Sequence, residues 1–152
     1  MSTAAIQAGH SVLLDSDALV YFLERHASYG PPARDIMRRV QEGELAAVVS
    51  TLAITEVLVY PYRKGQPEVA RGMRRLLERF ANLEIVGVDR DIADTAARLR
   101  AKHRLYTADA IQVATGLEHG ADWFVTNDRG IRRVADEGIG VWLFDDHLDA
   151  KT

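Results

Sequence analysis

Two acids stand one helix and one strand apart in the stretch from Leu105 to Gly130, LYTADAIQVATGLEHGADWFVTNDRG. Asp109 falls in the first turn of a helix predicted to open at Thr107 or Ala108, with Ile111, Val113, Ala114 and Leu117 as its apolar face and Gly120 as its end. Trp123, Phe124 and Val125 then read as a short buried strand running into Thr126, Asn127 and Asp128. A polar cluster at the carboxyl end of a parallel strand is where open α/β sheets place their binding crevices. Each acid alone has a plainer role: Asp109 suits the positive end of a helix, and Asp128 suits a turn through Arg129 and Gly130.

Two more acids change that weighing. Asp15 directly follows the apolar run SVLL, where it can cap the next helix or sit on the same rim as Asp128. Glu56 has Leu52, Ala53, Val59 and Tyr60 one helical turn away, so it reads as an acid on an apolar face, costly there without a partner such as a buried arginine. If the strands are parallel, Asp15, Glu56, Asp109 and Asp128 converge. Crowded carboxylates repel, and a hard divalent ion relieves the repulsion. Magnesium or manganese takes oxygen ligands, lowers the pKa of a bound water and stabilises charge on a phosphoryl group during hydrolysis. With no cysteine in the chain, disulfides and thiolate metal sites are excluded, which fits a reducing cytoplasm. None of His10, His26, His103, His119 and His147 pairs at zinc-ligand spacing, and no catalytic role is expected of them.

The elements that must position these acids follow from apolar periodicity. A chain of 152 residues, 47% hydrophobic and 27% charged, suits one domain with a sizeable core. Its net charge of -3 argues against nucleic-acid binding by bulk positive charge and leaves room for a local basic strip. Residues 1–10 lack a signal-peptide pattern and read as a flexible N-terminal tail, with the domain at 11–146 and a C-terminal tail at 147–152. The long apolar run from Leu45 to Tyr62 is interrupted by Ser50, Thr51, Thr55 and Glu56, so a strand and a helix explain it better than a membrane span. Pro61 should stop or bend that helix. Leu83 to Val88 and Val141 to Phe144 complete about five strands, alternating with one or two helices each. That order calls for a mostly parallel sheet with helices on both faces.

Three segments, LLDSDALVYFLE, STLAITEV and TADAIQVATGLEHGADWFVTND, together resemble the PIN-domain nucleases, and most closely the VapC-type toxins of toxin-antitoxin pairs. The resemblance implies a three-layer α/β/α fold and a magnesium- or manganese-dependent endoribonuclease that hydrolyses RNA. It places the family's acids on Asp15, Glu56, Asp109 and Asp128, with Ser16, Asp17, Thr126 and Asn127 as supporting polar residues. It further implies a homodimer, a cognate antitoxin and no membrane. The mechanism suggested by the converging acids puts a metal on Asp15, Asp109 and Asp128 and has Glu56 orient or deprotonate the attacking water. Arg129, Arg132 and Arg133, with Arg63 and Lys64, are candidate phosphate contacts whose plainer role is solvated surface charge.

Two rival readings remain at this level. DSDALV after a strand approximates the start of a haloacid-dehalogenase-like phosphatase, with Asp15 as nucleophile, Asp17 as acid/base and Asp145 and Asp146 as the later pair. The other is a PIN-like binding module that keeps the rim without doing chemistry.

Overall fold

The computed structural model describes residues 3–148. Its five strands are β1 (Ser11–Leu14), β2 (Ala46–Ser50), β3 (Leu83–Val86), β4 (Trp123–Thr126) and β5 (Gly140–Leu143). All pair in parallel, in the order β3-β2-β1-β4-β5. The helices are α1 (Ser16–Leu23), α2 (Gly30–Gln41), α3 (Thr51–Arg63), α4 (Pro67–Glu78), α5 (Arg90–His103) and α6 (Thr107–Glu118), with 3-10 helices at Arg129–Glu137 and Phe144–His147. This is the α/β/α sandwich expected from the alternating pattern.

Strands this short stay in place because both sheet faces are covered. Val12, Leu14, Ala47 and Val49 pack against α1 and α2 residues such as Leu19, Ile36 and Val40. Leu13, Val48 and Phe124 face the other way, toward Ile92, Leu99, Val113 and Ile131. Gly116 lets α6 lie close on the sheet: a Cβ there would come 3.0 Å from Ile139 Cδ1 and 3.4 Å from Leu13 Cβ. Because successive connections leave β1 toward β2 on one side and reach β4 on the other, the strand order reverses at β1 and β4. The crevice of such a sheet opens outside the carboxyl ends of those two strands.

Three expectations are corrected. Residues 3–10, read as a flexible tail, are packed on the domain: Ile6 is fully buried, and the buried Arg39 of α2 donates to the carbonyls of Thr3 and Ile6 while pairing with Glu44. An arginine thus satisfies backbone acceptors that apolar side chains would leave unpaired. Pro61 neither ends nor breaks α3, which runs on to Arg63 with Pro61 buried. Third, the side of α3 around Glu56 faces solvent, with Glu56, Val59 and Tyr60 all exposed, whereas Ala53, Val57 and Pro61 meet the core. Of the expected C-terminal tail, His147 stacks on Trp142 at 4.4 Å, and 149–152 lie outside the described residues. No helix among the described residues is long and apolar enough to cross a membrane.

Candidate active site

Asp15 directly follows β1 and is the N-cap of α1, its Oδ1 accepting from the Ala18 amide at 3.1 Å. Asp128 follows β4 and caps the Arg129–Glu137 helix, its Oδ1 accepting from the Gly130 amide at 2.8 Å. The plain role of each is therefore real, and it fixes the side chain without excluding a second one. Capping engages one carboxylate oxygen, and a carboxylate keeps further lone pairs with which a ligand could interact.

Between them stands Thr126, the last residue of β4 and fully buried. Its hydroxyl accepts from the Asp128 amide at 3.0 Å and lies close enough to the Asp15 carboxyl to oppose the rise of its pKa. One hydroxyl thus sits between the acid that follows β1 and the acid that follows β4.

Electrostatics show which carboxylates sense one another's charge. Burial pushes Asp15 well above the usual carboxylate range, with the neighbouring Asp17 charge adding to it. Asp17 is raised by burial and by Asp128, although the nearby Asn127 amide opposes the shift. Asp109, in the first turn of α6, is raised by burial and then by Asp128, Glu56 and Asp17. All four predicted acids and Asp17 therefore belong to one field. None of the five forms an ion pair among the described residues.

Glu56 joins this group for a different reason than its apolar neighbours suggested. It lies in the second turn of α3 and accepts from Gln112 Nε2 at 3.3 Å. Gln112 is buried, and its Oε1 has no partner. Sequence reasoning missed Gln112, although its position three residues after Asp109 places it on the same face of α6.

Asn127 positions the rim from outside. Its Oδ1 accepts from the Asp145 amide at 3.0 Å and its Nδ2 donates to the Tyr21 hydroxyl at 3.2 Å. Tyr29 donates to Asp145 in turn, so Tyr21, Tyr29 and Asp145 form a support that the sequence did not signal. Ser16, the other supporting residue expected here, is half-buried at the start of α1. Asp145 and Asp146, which a phosphatase would need as its later acids, are engaged by Tyr29 and Arg132 respectively. Arg129 stands 3.8 Å from Asp145, Arg132 pairs with Asp146, and Arg133 is exposed with no ion-pair partner among the described residues. Arg63 and Lys64 are exposed at the end of α3, Lys64 Nζ lying 5.5 Å from the Tyr60 ring centre.

Mutually repelling carboxylates with no protein cation among them are the donor set a hard divalent ion fits. Asp15, Asp17, Asp109 and Asp128 are the candidate ligands; among the described residues no three of them bring one carboxylate oxygen each within 4.8 Å of the others, so an ion would have to draw them together.

Comparisons with known proteins agree with this architecture. The family model described as PIN domain matches residues 12–137. No curated protein matches the chain. Among solved structures, a toxin-antitoxin complex from Klebsiella pneumoniae is similar at 21% identity and a TM-score of 0.66, covering 88% of this chain and 97% of that one. FitAcB from Neisseria gonorrhoeae is similar at 18% identity and 0.66, covering 90% and 99%. The sarcin-ricin-loop-cleaving toxin VapC20 of Mycobacterium tuberculosis gives 13% and 0.60, covering 74% and 86%. At these identities the likeness is one of fold.

Proposed function

The chain belongs to the PIN-domain family, and from that premise we propose that it is a divalent-metal-dependent endoribonuclease acting as the toxin of a toxin-antitoxin pair in the cytoplasm. The observation that carries the reading is the convergence of Asp15, Asp17, Glu56, Asp109 and Asp128 at the β1/β4 crevice without a neutralising cation among the described residues. Support for the toxin role comes from fold neighbours that are toxin-antitoxin complexes, and for RNA from a neighbour described as cleaving the sarcin-ricin loop.

Asp15, Asp109 and Asp128 would hold magnesium, or manganese in its place, with Asp17 adding charge beside them. When bound, the ion supplies a lowered water pKa and charge stabilisation at the phosphoryl group. Glu56, exposed at the crevice and oriented by Gln112, accepts the proton of the attacking water. Thr126 and Asn127 keep the acids in place. Arg133, and Arg129 on its long contact to Asp145, are the arginines of this strip best placed to meet RNA phosphates, because Arg132 is held by Asp146.

A partner surface is available for the antitoxin and for a second copy. Val59, Tyr60, Tyr62, Val69 and Leu76 are exposed on α3 and α4. A cavity of about 690 Å³ between α5 and α6 is bordered by Leu105, Ile111 and Tyr106, which is 82% exposed. None of the rim acids lines it.

The test is incubation of the purified chain with structured RNA and with DNA of the same sequence. Internal RNA cuts that need magnesium or manganese, cease with a chelator and return on adding the ion are expected. Phosphate release from small phosphomonoesters, with RNA left intact, would favour the phosphatase instead.

A further inference from the structure

Away from the rim, the last turn of α5 and the end of the Arg129–Glu137 helix bring three ligand-bearing side chains together. His103 Nε2 lies 3.7 Å from Glu137 Oε1 and 3.8 Å from Asp136 Oδ1. One ligand atom from each residue falls within 4.8 Å of the others. His103 has a side chain only 8% exposed, and its Nε2 is buried with no hydrogen-bond partner. Glu137 is as buried, at 7%.

A buried imidazole nitrogen normally finds a partner, so the gap needs an explanation. Separations of 3.7 and 3.8 Å are within ion-pair reach of a protonated imidazole but too long for hydrogen bonds. They suit two atoms that each bind one ion at about 2.0–2.2 Å, which places the pair up to about 4 Å apart. Two cations already neighbour these acids: Arg98 donates to Glu137 Oε1 at 2.6 Å, and Lys102 Nζ stands 3.5 Å from Asp136 Oδ2 and 3.6 Å from Glu137 Oε2. Arg98 and Lys102 are 55% and 52% exposed, so these cations can turn to solvent when another takes their place.

We propose that His103, Asp136 and Glu137 form a second cation site, separate from the rim and taking a borderline divalent ion such as zinc rather than magnesium. Imidazole selects such ions, whereas an all-oxygen rim suits hard ones. The site would act as a clasp. The helix it holds begins at Arg129, directly after the rim acid Asp128, and ends at Glu137, so an ion binding its far end to α5 steadies the segment that carries Asp128.

The test uses the full chain carrying Asp15→Asn and Asp109→Asn, which disables the rim, and zinc as the probe in calorimetry. One zinc equivalent that excess magnesium does not displace is expected, with a zinc-dependent rise in melting temperature. Adding His103→Gln should weaken it about tenfold or more. Since His103 is buried and its replacement can disturb α5, Asp136→Asn at an exposed position is the second variant and should also weaken binding. Absence of zinc uptake by the parent, or uptake as tight in either folded variant as in the parent, overturns the site.

Discussion

Asp15→Asn should lose about a thousandfold or more of metal-dependent RNA cleavage and yet melt at a higher temperature without metal. The first effect follows from removing a ligand charge at a site asked to supply several kcal/mol of charge stabilisation. The second follows from burial. Asp15 is 8% exposed and its pKa is raised, chiefly by desolvation and then by Asp17. A carboxyl whose folded pKa lies above its unfolded one favours the fold fully below the unfolded value, near the ordinary ~3.9, and loses that contribution as pH rises through the raised value. At neutral pH the metal-free chain therefore carries a cost that asparagine removes, on the order of 1 kcal/mol, or about 2–4 °C for a chain of this size. Melting curves of both proteins from acidic to neutral pH measure this. Their difference should widen upward in pH and close when magnesium is added to the wild type. A variant less stable than wild type at neutral pH without metal would contradict it.

Thr126→Val should slow cleavage about ten- to a hundredfold although the side chain touches no substrate. The hydroxyl accepts from the Asp128 amide and lies beside Asp15, so the near-isosteric valine loosens the hold on both acids and leaves a backbone donor unpaired. Stability should fall by about 1–3 kcal/mol for that donor. Thr126→Ser separates positioning from packing. It restores the hydroxyl while losing one buried methyl, so cleavage should recover while stability stays lower by roughly 1 kcal/mol. Rates as low in Thr126→Ser as in Thr126→Val would assign the residue to packing alone.

How far the sequence led can be judged residue by residue. Local alternation of apolar runs with capped helices was enough to place β1, β4 and α6, and parallel pairing then put Asp15 and Asp128 on one rim. Glu56 was singled out for a reason that fails: apolar neighbours along a helix do not say whether their face meets the core or waits for a partner, and Val59 and Tyr60 face solvent. Its link to Gln112 crosses 56 positions of sequence, beyond what periodicity can report. Residues 3–10 read as a tail because they carry no cationic start followed by an apolar core; what anchors them is Arg39, whose guanidinium meets carbonyls more than 30 residues away. His103 has no ligand-spaced neighbour in sequence, and Asp136 and Glu137 reach it only through the packing of the 3-10 helix on α5.

One physical idea connects the proposed site: a rim of acids that the fold brings together at a free-energy cost, which a bound divalent cation would offset. Burial and mutual repulsion raise the pKa of Asp15, Asp17 and Asp109, so protons compete with the ion and uptake should weaken as pH falls. The most direct measurement is manganese uptake followed by electron paramagnetic resonance, with magnesium as competitor. The account predicts magnesium-displaceable uptake in the wild type and none in the Asp15→Asn, Asp109→Asn double variant. Equal magnesium-displaceable uptake in both proteins would contradict it.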